Sequence, residues 1–232
     1  MDYVTATEIK QYGGINWDSS LDTFISTLIG AAGSYVEEFC GDKTFGKRFF
    51  KAPDTDADIT KRFNGSGEQK QYIGDLRSLT SVTADGIALT LDTDVYLYPL
   101  NAQADASDLK PYEWLELVQP ETSFANSNPR RGNAIPYVFE PLQRSVVVTG
   151  KWGFSATAPE DIKVAVMKIV LSFIKENIGD NDLREVTSET LGEYSISFSK
   201  IRDIADRLGV NHILMAYKRK SRKQFGRTIQ VS

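Results

Sequence analysis

Two stretches of the chain repeat apolar residues at three- and four-residue steps, the spacing that keeps side chains on one helical face. In the first, Leu21, Phe24, Ile25, Leu28, Ile29, Ala32, Val36 and Phe39 form a stripe about five turns long. This helix is predicted to start at Asp18 or Ser19, with Ser19 and Asp22 in capping-box spacing, and to stop at Gly41. In the second, Ile162, Ala165, Val166, Ile169, Val170, Phe173 and Ile174 recur in the same way. Pro159 suits its first position, where the missing N–H has no intrahelical partner, and Glu160 and Asp161 place negative charge on the positive end of the helix dipole. Gly179 closes it.

Residues 44–152 have a different pattern. Short runs rich in aromatic and β-branched residues alternate with turn residues: Arg48–Lys51, Ile59–Phe63, Gln71–Gly74, Leu79–Ala84, Ala88–Leu91, Val95–Tyr98, Glu113–Val118 and Ser145–Trp152. Asp85-Gly86 between two runs predicts a hairpin. Prolines concentrate between Pro53 and Pro141, which excludes long helices there, and Thr122–Pro141 reads as a long loop with Arg130 and Arg131 near its tip. Outside this region, Thr5–Gln11 predicts a short leading helix broken at Gly13-Gly14, and Tyr194–Phe198 alternates as a strand. Short helices are predicted from Ser199 to Leu208 and, after Gly209, from Asn211 onward. The expected fold is therefore α+β: a small helical bundle of two long amphipathic helices plus short C-terminal helices, with a large β-rich insert. Residues 1–44 and 153–217 would form the bundle, 45–152 the insert and 218–232 a basic tail.

Charge changes this picture by setting the tail apart. Seven of the 27 basic residues and none of the 31 acidic ones lie from Arg207 onward. Twenty bases thus face 31 acids before it, a formal −11 against +7. An acidic body with a basic end points to a separate partner for that end. Lys218, Arg219, Lys220, Arg222, Lys223 and Arg227 carry the charge, and Phe225, Ile229 and Val231 alternate with polar residues behind it. Phosphate contact needs only the charge. The alternation fits a strand added to a partner's sheet edge. No apolar run approaches the length of a membrane-spanning helix, and the N-terminus lacks a basic, apolar signal sequence.

Candidate chemistry is sparse. Asp54-Thr-Asp56-Ala-Asp58 opens like a calcium loop, but Ile59 replaces the glycine at the sixth position and Gly65 the glutamate at the twelfth. Gly65-Ser-Gly67 is followed by Glu68 rather than the Lys-Ser/Thr of a phosphate loop. With His212 the only histidine and Cys40 the only cysteine, neither a zinc cluster nor an internal disulfide can form, and no Gly-x-Ser-x-Gly elbow exists. Cys40 reads as a small buried thiol. No catalytic, cofactor or metal residues are assigned, and enzymatic activity is not expected.

Four pieces, in order and spacing, resemble a tailed-phage head–tail connector (adaptor) protein, the family that stacks beneath the portal. They are Tyr3-Val-Thr-Ala-Thr-Glu-Ile-Lys with the helix ending in Val36-Glu-Glu-Phe-Cys-Gly41; Leu79-Thr-Ser-Val-Thr-Ala-Asp-Gly86 leading to Val95-Tyr-Leu-Tyr-Pro99; Val148-Thr-Gly-Lys-Trp-Gly153 running through Ala158-Pro159 into the second helix; and Ser188-Glu-Thr-Leu-Gly-Glu-Tyr-Ser-Ile-Ser-Phe198 with the final helices. Together they span nearly the whole chain. The resemblance implies a homo-oligomeric ring matched to the portal, dodecameric in the virion, which extends the DNA channel and is the platform for the stopper or tail. It implies assembly rather than catalysis, no cofactor, synthesis in the bacterial host cytoplasm and a final place in the virion neck. Expected partners are the portal protein, a head-completion, stopper or tail protein, and passing genomic DNA. An acidic body suits a channel through which DNA slides without sticking. Arg130 and Arg131 would contact a neighbouring subunit, and the basic tail the portal or DNA. Two other readings stand beside this one: a different phage neck, tail or baseplate subunit that binds through the β-rich insert, and a nucleic-acid-binding protein acting through the basic tail.

Overall fold

The computed structural model describes residues 2–15, 17, 19–51, 56–100, 102, 110–118, 138–178 and 198–219. The chain divides into two compact units, Met1–Arg48 with Asp161–Ser232, and Phe49–Glu160.

The first unit is helical where described. Its elements are α1 (Ala6–Gly13), α2 (Asp22–Cys40, preceded by a 3-10 turn Ser19–Leu21), α3 (Glu160–Ile178, whose first residue falls in the second unit), α4 (Phe198–Arg207) and α5 (Val210–Met215). The capping box forms on α1 rather than α2. The Thr5 side chain accepts from the Glu8 N–H, while the Glu8 carboxylate accepts from the Thr5 N–H at 2.7 Å. These bonds from Thr5 hold the Glu8 carboxyl below its ordinary pKa. Gly14 ends α1 at φ 62, a left-handed conformation glycine takes without strain. Asp22 does not cap α2, because its carboxylate accepts from Trp17 Nε1 at 2.9 Å and pairs with Lys10 at 3.1 Å. At the other end the Gly41 N–H bonds to the Glu38 carbonyl.

The second unit is a six-stranded sheet of β1 (Ile59–Phe63), β2 (Lys70–Ala84), β3 (Ile87–Leu89), β4 (Val95–Tyr98), β5 (Tyr112–Leu117) and β6 (Val146–Trp152). Strand order is β1-β6-β2-β5-β4, all pairs antiparallel, with β3 hairpinned onto β2 through Asp85-Gly86. β6 alternates, burying Val146, Val148, Gly150 and Trp152. Register sets Val82 against Val148, Ala84 against Val146, Leu97 against Leu115 and Val95 against Leu117, so one face becomes the core, joined by Ile73, Leu76 and Phe139. Each large side chain there contributes about 1.5–3 kcal/mol of burial. The other face carries Tyr72, Trp114 and Tyr98 as cross-strand neighbours, with Tyr98 and Trp114 stacked at 5.4 Å.

The expectation of a helical bundle with two long amphipathic helices is overturned. The protein is a mixed fold dominated by the six-stranded antiparallel sheet, and α1, α4 and α5 are short. α2 and α3 have 19 residues each, yet the close backbone neighbours of α2 are α1, α4 and α5. α3 is not a one-striped helix either. Met167 and Leu171 are buried along with the predicted stripe, so it is covered around most of its circumference. Two strand predictions also need correction. Gln71–Gly74 and Leu79–Ala84 are one 15-residue strand, β2, because Asp75 and Arg77 continue it as buried charged residues. Arg48–Lys51 is not a strand: the Phe50 ring is fully buried against Phe154 while Phe49 is exposed. The loop Thr122–Pro141, apart from Val138 to Pro141, and the strand Tyr194–Phe198, apart from Phe198, which opens α4, lie outside the described residues.

Candidate partner-binding surface

The root of the basic tail is fastened to the C-terminal end of α2. Three bonds do this. The Arg219 N–H donates to the Cys40 carbonyl at 3.0 Å, Arg48 Nη1 to the Tyr217 carbonyl at 2.5 Å, and the Cys40 thiol to the Leu214 carbonyl at 3.6 Å. The Tyr217 hydroxyl donates to the Asp161 carboxylate at 3.1 Å. Burial, then that carboxylate as neighbour, pushes the Tyr217 phenol up to about 12. The last carbonyls of a helix carry partial negative charge, so cations gather here for a physical reason.

Between α2 and Arg48, residues Asp42–Gly46 make a tight turn. Asp42 and Gly46 exchange backbone hydrogen bonds at 3.0 and 2.9 Å, and Asp42 Oδ1 accepts from the Thr44 and Phe45 N–H groups. Gly41 must be glycine, since a Cβ there would lie 2.3 Å from the Gly46 carbonyl oxygen. The turn raises Lys43 and Lys47 beside Lys218, whose ammonium sits 4.8 Å over the Phe39 ring; Arg219 lies 5.5 Å over Phe45. Glu38, Phe39, Gly41, Asp42, Lys43, Gly46, Lys47 and Lys218 line an open groove of about 440 Å³.

Of the predicted partner-binding residues, the structure places Lys218 in this groove, with Arg219 next to it in the chain over Phe45. Lys220, Arg222, Lys223, Phe225, Arg227, Ile229 and Val231 lie outside the described residues, as do Arg130 and Arg131. Lys43 and Lys47 were not singled out from the sequence, and Phe39 was read only as part of the apolar stripe of α2. The signal was present as Asp42-Lys-Thr-Phe-Gly46, an aspartate that can bond its own turn directly after a helix stop.

The other motifs have structural work of their own. Asp56 spends its carboxylate on Arg77 Nη1 at 2.5 Å and Lys151 Nζ at 3.0 Å, and bonds to Lys151 and then Arg77 hold its pKa below the usual range. Asp58 accepts from the Thr80 hydroxyl. Asp54 lies outside the described residues. Gly65 and Gly67 bond to the Leu142 and Phe139 carbonyls, so Gly65-Ser-Gly67 serves backbone packing. Among the described residues no group of three or more His, Cys, Asp and Glu side chains converges.

Cys40 is fully buried, and desolvation raises its thiol to about 12 against the nearby Arg48 and Lys218 charges, which pull the other way. The unfolded thiol ionises near ~8.5. The folded pKa is the higher one, so this contribution to stability is complete below about pH 8.5 and is lost as pH rises toward the folded value. Iodoacetamide at pH 8 should label Cys40 only at the rate of opening, and full labelling of the native protein within minutes would contradict the burial. No family model matches this chain, and no curated protein does.

Proposed function

We propose that this chain is a structural virion subunit of a tailed phage, a head–tail connector that assembles as a ring beneath the portal. There it extends the channel for genomic DNA and is the platform for the stopper or tail. It acts by assembly, with the basic C-terminal segment holding the portal and the acidic body leaving DNA free to slide. The observation that carries this reading is the fastening of Tyr217 and Arg219 to Arg48 and Cys40. A segment that departs from a fixed root positions the whole helical unit against whatever the segment grips. A tail on a loose root would only tether it.

Truncation after Arg219 tests the reading. It keeps the ring contacts of Lys218 and Arg219, so the shortened chain should fold and melt like the parent. Its co-sedimentation with portal rings free of DNA should be lost. Binding of the truncated chain to empty portals at full affinity would overturn the docking role. Loss of DNA binding alone, with portal binding kept, would favour the nucleic-acid reading instead.

A further inference from the structure

We infer that the groove at the C-terminal end of α2 is a second contact surface, separate from the basic segment beyond Arg219, and that it takes an acidic peptide segment of a partner protein. This goes beyond the connector reading and does not depend on it.

Two features make the surface a built one. The Asp42–Gly46 turn is closed by its own backbone bonds, so Lys43 and Lys47 stand at fixed flanks, and Lys218 is held across from them over Phe39. A Cβ placed on Gly46 would meet nothing within 4 Å, so the turn leaves its outer side open.

Charge selects the occupant. Lys43, Lys47 and Lys218 are exposed cations, whereas the Asp42 carboxylate has its Oδ1 engaged by two N–H groups of its own turn. Glu38 stands exposed on the same rim. A phosphodiester backbone presents a charge at every residue and would meet Glu38 and the carbonyl end of the helix. A peptide places its carboxylates selectively, against the three lysines, and can offer an N–H or a cation to Glu38. The half-buried Phe39 ring on the floor adds apolar contact that a sugar–phosphate chain does not use.

The test uses the full chain, a labelled peptide in which glutamates alternate with neutral residues, and a labelled DNA duplex of similar net charge, at low salt. Lys43→Glu with Lys47→Glu should lower affinity for the peptide about tenfold or more, as reversing two steering charges does. Affinity for the duplex should change less than about threefold. Both lysines are exposed, so the melting temperature serves as the check that the variant is folded. A second variant, Arg222→Glu with Lys223→Glu, should affect the peptide less than the groove variant does. No peptide binding by the parent chain, unchanged binding by the groove variant, or a larger loss in the tail variant would overturn the inference. So would an equal loss for duplex and peptide, which would make nucleic acid the occupant.

Discussion

Ile169→Asp should leave little or no folded protein. Ile169 is 1% exposed at the middle of α3, with Val166, Val170 and Phe173 buried beside it. A carboxylate at that position has no partner in place and loses its hydration, a loss of roughly 4–5 kcal/mol or more, in the exceptional range for a single substitution. Ordinary domains have about 5–15 kcal/mol in total, so the helical unit would be at the edge of folding or past it. Trp17 is the only tryptophan of that unit, whereas Trp114 and Trp152 belong to the sheet. A chain retaining only Trp17 therefore reports the first unit by fluorescence. A cooperative melt of the Ile169→Asp variant within a few degrees of the parent would show that α3 is not buried as described.

Gly65→Ala should damage the sheet unit with a change of one methyl group. The new Cβ would lie 1.7 Å from the Glu140 carbonyl oxygen and 2.9 Å from that of Phe139. Both are backbone atoms, tied to the same turn by the bonds from Gly65 to Leu142 and from Gly67 to Phe139. Neither segment can shift without breaking these, so the cost should exceed about 3 kcal/mol, above the usual range for overpacking. Gly67→Ala is the control. Its Cβ would find Pro141 at an ordinary 3.7 Å, but at φ 74 it would cost about 1–2 kcal/mol through backbone strain alone. Urea unfolding followed at Trp114 and Trp152 separates the two, and equal midpoints for both variants would refute the close approach.

Local patterns in the sequence were legible where local physics decides. Gly14 and Gly41 end helices for reasons visible in their neighbours, and Asp85-Gly86 makes the hairpin that its residues require. What failed was balance and range. Each strand is short and was read alone, whereas the weight of the fold comes from their pairing, such as β1 with β6 across a gap of 89 residues between Thr60 and Thr149. Asp75 and Arg77 looked like an interruption because the ion that accommodates Arg77, Asp56, is 21 positions away. The candidate surface was half legible. Charge alone marked Lys218 and Arg219, but Lys43, Lys47 and Phe39 come beside Lys218 through long-range bonds from Arg219 to Cys40, Arg48 to Tyr217 and Cys40 to Leu214.

That same reach has a consequence for synthesis. The Tyr35 hydroxyl donates to Asn211 and the Cys40 thiol to the Leu214 carbonyl, partners 176 and 174 residues apart in the chain. At about 5–20 residues per second, a ribosome needs roughly ten to thirty-five seconds to supply them after α2 has been made. For that interval the side of α2 meant for α4 and α5 has no cover, while the whole sheet unit is completed in between. The nascent chain therefore passes through a stage in which the second unit has all its residues while α2 of the first still waits for α4 and α5.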